Sequence, residues 1–274
     1  MSGEIRLALR VALDRRLDVS CVAPDRLAQL GVKEIERLEI WPDAGGPRAL
    51  GEFFSVTGER SLTVRVQGNL ELVDGLGTAM SEGELIAEGD AGHAVGSSMT
   101  GGRLTVHGSA GRDAGLAMRG GVLLVQGSVG SNCGGSSPGA SRGMTGGEII
   151  IMGSAGPEAG ARMRRGLLFV AGDAGPYAGR TMIAGTVIVG GRTARGAGQW
   201  SKRGSIVALG GVEPPASYRL AAIYRPLWVS LFLTSLRARY RIPVTDAHVN
   251  GRYRRYSGDL AELGKGEILE WTAG

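Results

Sequence analysis

The sequence runs to 274 residues with a net charge of +5 and a pI near 9.5. Glycine stands out at 48 residues, roughly two and a half times its ordinary share. No collagen-type triplet accompanies it, so the glycine must serve another regular architecture. The longest apolar stretch, residues 227–236, is interrupted by Ser230, Thr234 and Ser235. It is about half the length of a membrane span, which excludes that class. The basic balance permits a polyanionic partner without demanding one.

In chain order, residues 4–13 alternate and read as a strand. Residues 24–30 open on Pro24 and stop before Gly31, a short-helix signature. Residues 34–40 read as another strand, and residues 1–60 together as a small α+β cap. No secretory apolar core follows the opening MSGEIRLALR. Cys21 and Cys133 are far apart, so a reducing, cytoplasmic setting is expected.

A repeat then takes over. Met80, Met99 and Met118 are 19 apart, as are Met144, Met163 and Met182; Ser201 continues the series, and the 118–144 interval is 19 plus seven. Counting from these positions as zero, offset three is glycine in all seven repeats, from Gly83 to Gly204, and offset nine likewise, from Gly89 to Gly210. Offsets five and seven are aliphatic (Leu85 and Ala87, Leu104 and Val106, onward to Ile206 and Ala208). Offsets eleven and fifteen are small, with Cys133 at the latter. Alternation at five and seven places those residues on one side of a strand. The glycines fall where the chain turns or where backbones approach closely. One such coil cannot bury its apolar side alone, but a stack can.

The reading is an all-β, right-handed parallel β-helix of about seven 19-residue coils, spanning 61–212. Residues 62–68 form a degenerate first coil, and residues 137–143 (SPGASRG) form a surface insert. Leucine-rich repeats need an Asn or Cys ladder that is missing, and hexapeptide helices give coils of 18 residues. Calcium-binding nonapeptides need regular Asp, whereas only Asp90 and Asp173 fall at offset ten. Residues 213–274 form a C-terminal extension, with a helix expected over 226–240.

No constellation points to chemistry. Of the three histidines, His93, His107 and His248, His107 falls outward at offset eight and His93 in a corner, neither with a carboxylate or cysteine at metal spacing. Cys133 sits at a small core position, which outweighs a nucleophile reading. G-x-x-G-x-x-x-G recurs coil after coil, so its role is structural rather than phosphate-binding. Offset six is the functional hint: it faces outward yet holds Ile86, Thr105, Leu124, Ile150, Phe169, Ile188 and Val207. Such a stripe is covered either by the extension, whose Leu227, Trp228, Val229, Leu231, Phe232, Leu233 and Leu236 suit it and make this the favoured reading, or by another subunit, and the two can share it. Candidate partner-facing residues are therefore Ile86, Leu124, Ile150, Phe169 and Ile188. Six arginines of the extension join them: Arg237, Arg239, Arg241, Arg252, Arg254 and Arg255. These could dock an acidic subunit or an anionic carrier tail, or form ion pairs on a solvated face. Nucleic acid is not expected, since interleaved aromatics are missing.

The coils resemble the C-terminal β-helical domain of the glutamate synthase large subunit. With LGEFFSV at 50–56 just before the coils and YSGDLAELGKGEIL at 256–269, nearly the whole chain resembles the C subunit of formylmethanofuran dehydrogenase. The resemblance implies a non-catalytic scaffold subunit without cofactor of its own. Ala, Gly and Arg richness favours the bacterial relative, a formyltransferase/hydrolase complex of methylotrophs. That complex moves formyl from tetrahydromethanopterin to a methanofuran-type carrier and releases formate. It implies partners: an amidohydrolase-like subunit holding the metal (zinc), a dehydrogenase-like subunit, and a formyltransferase. The alternatives are the C subunit of a molybdenum or tungsten dehydrogenase, or a binding module for a polyglutamate-type carrier tail.

Overall fold

The computed structural model describes residues 3–273. Among them the chain is mostly β, with one 13-stranded sheet and few helices. The N-terminal part comprises β1 (Ile5–Leu9), β2 (Leu17–Asp18), α1 (Pro24–Leu27), α2 (Val32–Glu36), β3 (Glu39–Pro42), β4 (Arg48–Ala49), α3 (Leu50–Phe53) and β5 (Phe54–Gly58). The strand expected over 4–13 ends at Leu9, and the helix over 24–30 ends at Leu27. Residues 34–40 are not one strand. Glu34 accepts the Gly31 N–H at 2.7 Å, which fixes the first turn of α2, and extended backbone begins only at β3. The segment LGEFFSV supplies α3 and β5. A Cβ on Gly51 would stand 2.9 Å from Glu36 Cβ and 3.1 Å from the Glu36 carbonyl, so glycine permits α3 to lie against α2.

The repeat region holds β6 (Thr63–Gln67), β7 (Val73–Asp74), β8 (Glu84–Glu88), β9 (Arg103–Val106), β10 (Val122–Val125), β11 (Glu148–Ile151), β12 (Leu167–Val170), β13 (Thr186–Val189) and β14 (Arg203–Ala208). From β8 onward each strand pairs in parallel with the next, one repeat on, as in Leu104↔Leu123 and Leu168↔Val187. A second line of parallel bridges runs through offset eleven, from Ala91↔Ala110 to Thr193↔Val212. A third runs through the glycine corner: Gly115 N–H donates to Val95 O at 2.8 Å, and Gly134 N–H to Ala114 O at 2.9 Å. Each unit thus meets its neighbour along three lines. Between them lies the core, where Met80, Met99, Met118, Met144, Met163 and Met182 are at most 1% exposed. The flexible thioether suits a narrow interior shared with alanines.

A side-chain ladder reinforces offset ten. Asp90 Oδ1 accepts the Ser109 N–H (2.6 Å), Ser109 Oγ that of Ser128 (3.1 Å), and Ser128 Oγ that of Ser154 (3.0 Å). Ser154 Oγ then accepts from Asp173 (3.1 Å) and Asp173 Oδ1 from Arg192 (2.7 Å). Each side chain satisfies a backbone donor that a corner leaves unpaired.

The extension contains β15 (Arg219–Tyr224), α4 (Leu227–Tyr240), α5 (Asp246–Asn250), β16 (Arg252–Gly258) and β17 (Lys265–Thr272). The helix expected over 226–240 is α4. The chain then returns: β17 pairs in parallel with β14, placing Ile268 beside Ile206 and Gly266 beside Gly204. β16 and β15 follow antiparallel, leaving β15 at the sheet edge. Tyr218 fills the interior beyond the last coil, its hydroxyl 2.6 Å from Ser201 Oγ and donating to Gly198 O at 3.0 Å. At the opposite end β1 pairs with β6 and β5, burying Ile5 and Leu7.

Candidate functional site

Position six of the coils lies on the outer sheet face, and α4 lies over its later half. Val229, Leu233 and Leu236 of α4 form a second apolar cluster with Ile150, Phe169, Ile188 and Val207, joined by Tyr253 and Leu269. Ile150, Phe169 and Ile188 are 0% exposed, so they do not face a partner; the extension covers them. Of the two covers that the sequence pattern allowed for this apolar, outward stripe, the extension is the one present over these coils. Ile86 and Leu124, on the earlier coils, remain half-buried.

The C-terminal end of α4 is clasped to the stack. Arg239 donates to both carboxylate oxygens of Glu148, at 2.9 and 2.8 Å, while the Tyr240 hydroxyl donates to Oε2 at 2.5 Å. Burial alone would raise the Glu148 pKa, but these donors outweigh it and hold it below the ordinary value. The remaining arginines divide. Arg237 pairs with Asp246 (2.7 Å), Arg254 with Glu270 (3.4 Å) and Arg255 with Glu267 (2.8 Å). Arg241 and Arg252 have no acidic partner among the described residues. Four of the six arginines are thus held by ion pairs within the chain.

A further cluster of cations without acidic partners among the described residues lies on the later coils. Offsets one and two of the later coils hold Arg164, Arg165, Lys202 and Arg203, with Ile183 and Ala184 in the coil between. With Leu263, at 55% exposure, they line a surface groove of about 500 Å³ that has no acidic residue among its described lining. Sequence reasoning missed it. The residues were visible at repeat-fixed offsets, but the denser arginines of the extension drew the attention. Apolar exposure concentrates nearby in sequence on the extension, at Leu220, Ile223, Leu227 and Leu231.

The groups that could do chemistry have structural settings. His107 Nδ1 lies 2.8 Å from Glu88 Oε2. His248 accepts the Thr245 N–H at Nδ1 and packs edge-on against Trp271. His93 is half-buried, and burial pushes its pKa down. Cys133 is fully buried, its pKa pushed up to about 12. Among the described residues no group of three or more His, Cys, Asp or Glu side chains is placed to hold a metal, and no helix is long and apolar enough to cross a membrane.

No family model matches the chain. A chain of the formyltransferase/hydrolase complex from Methylorubrum extorquens, solved with methylofuran, superposes with a TM-score of 0.86. It is 33% identical, over 98% of this chain and 100% of that one. The C subunit of molybdenum-containing formylmethanofuran dehydrogenase 1 from Methanosarcina barkeri (strain Fusaro / DSM 804) is 36% identical over 97 residues. The chain belongs to the family of formylmethanofuran dehydrogenase C subunits. The match to the curated family member spans only 33% of this chain and 31% of that protein. In this member of the family, both flanking segments that carry the resemblance close an end of the stack. LGEFFSV provides α3 and β5 at one end. YSGDLAELGKGEIL provides the end of β16, a turn and most of β17 at the other. In that turn Asp259, 1% exposed, accepts the Trp200 N–H at 2.8 Å.

Proposed function

We propose that the chain is a non-catalytic structural subunit of a formyltransferase/hydrolase-type complex. That complex passes formyl from tetrahydromethanopterin to a methanofuran-type carrier and releases formate. The end-to-end likeness to a chain of the methylofuran-bound complex carries the reading. The three bonding lines support it physically, since a stack tied along three lines is a stiff frame on which neighbours can be held in register. On this reading zinc and carrier belong to the partners: an amidohydrolase-like, a dehydrogenase-like and a formyltransferase subunit. The stack is taken as a right-handed parallel β-helix over 61–212, between an N-terminal cap (1–60) and the extension (213–274). Residues 1, 2 and 274 of those segments lie outside the described residues.

A second reading, the C subunit of a molybdenum-type formylmethanofuran dehydrogenase, is favoured by the Methanosarcina match. A carrier-binding role for the arginines of the extension loses support, because four of its six candidates already hold carboxylates. Native purification of the tagged chain from its source cells, with mass spectrometry, separates the readings. Co-purifying amidohydrolase-like and formyltransferase subunits support the first. A molybdopterin-loaded, iron–sulfur partner set supports the second, and a lone stable monomer overturns both.

A further inference from the structure

We propose that the groove lined by Arg164, Arg165, Lys202 and Arg203 is a docking site for an extended acidic segment of a partner polypeptide. Among the described residues the four cations have no carboxylate partner, unlike four of the six candidate arginines of the extension, and they surround a concave surface. Cations gathered without counter-charge repel one another, and an acidic ligand relieves that cost. Their backbones are fixed: Arg164 N–H donates to Met144 O and Lys202 N–H to Met182 O, each at 2.8 Å. The two charged pairs are therefore pre-placed rather than carried on a mobile loop, which lowers the ordering cost of binding.

The repeat sets the spacing. Arg164 and Lys202 occupy the same offset two coils apart, which is about 10 Å at ~4.8 Å per coil. Ile183 sits at that offset in the coil between, and Leu263 adds an exposed apolar wall. An extended chain in the polyproline II form rises about 3.1 Å per residue and returns to the same face every third residue. The fitting segment thus carries carboxylates roughly three residues apart, flanking an apolar side chain. Only the naming of the partner as a neighbouring subunit rests on the assembly reading above; affinity for the segment does not, so the two fail separately.

The test is fluorescence anisotropy of the full chain with a labelled peptide repeating Glu-Leu-Ser-Glu. Reversing the groove charges together (R164E, R165E, K202E, R203E) is expected to weaken binding about tenfold or more. Reversing four arginines of the extension (R219E, R225E, R241E, R252E), an equal change in net charge, is expected to cost less than about twofold. A second variant, Ile183→Ser with Leu263→Ser, keeps every charge and is expected to weaken binding several-fold. Thermal melts confirm that each variant folds. Equal losses in the two charge-reversed proteins, or no binding by the parent chain, overturn the proposal. So does tighter binding of a single-stranded oligonucleotide of matching charge.

Discussion

Arg239 and Glu148 join residues 91 positions apart, with each terminal guanidinium nitrogen donating to one carboxylate oxygen. The contact ties the end of α4 to β11 and holds the extension over the later coils. Glu148 is mostly sheltered, while Arg239 is about half exposed. Arg239→Ala is therefore expected to cost about 1 kcal/mol in urea unfolding, and no change would mean that the clasp is ornamental.

The same carboxylate predicts acid lability. Its folded pKa lies below the ordinary 4.5, so its contribution is complete above that value and is lost as pH falls through the folded pKa. Unfolding free energy measured from pH 6 down to pH 3 is expected to fall less steeply for Glu148→Gln than for the parent. Parallel curves would exclude Glu148 as a source of the slope.

Thiol chemistry gives a further check. Burial pushes Cys133 up to about 12 and Cys21 up to about 11. At pH 8 a disulfide reagent is expected to leave Cys133 untouched in the folded chain and to titrate both thiols after denaturation. Cys133→Ala should cost at most about 1.5 kcal/mol, because other coils hold alanine at that offset.

Core positions should separate by mechanism. Met163→Ala removes a fully buried side chain and is expected to cost about 2–5 kcal/mol. Gly102→Ala removes nothing, yet its Cβ would stand 2.5 Å from Met80 Cε and 2.8 Å from Gly83 O, at a φ of +72°. It too should destabilise, by more than about 1 kcal/mol. A neutral Gly102→Ala would refute the close-packed corner.

Phe169 tests the cover. It is fully buried between sheet and helix, so Phe169→Ala is expected to cost about 3–5 kcal/mol. Limited proteolysis should then cut within α4 before the coils. Simultaneous cutting of both would show that α4 and the stack unfold as one.

The coils were legible because their constraint repeats. Backbones approach so closely at Gly102 and its equivalents that every turn must meet the same demand. The cover of position six was legible in part: apolarity at Phe169 records only exclusion from water, but the apolar run of the extension, with Val229, Leu233 and Leu236, offered the cover that the structure shows. The return of β17 was not legible. Gly266 and Ile268 repeat the glycine and aliphatic spacing of Gly204 and Ile206, but a separation of 62 positions hides the period. The arginines of the extension misled for a similar reason. The carboxylates that occupy them, such as Glu148 and Asp246, come from places that local density does not reveal.

The seven added residues near 137–143 leave the next strand in place: Leu123 still meets Ile149 as Leu104 meets Leu123. The frame keeps count by contact rather than by chain length. A corner can therefore swell or shrink without moving the rungs above it. Excising residues 137–143 should yield a folded protein whose melting temperature shifts by no more than a few degrees, as measured by circular dichroism. New surface can thus be tried out at one corner while the remainder of the tower stands unaltered.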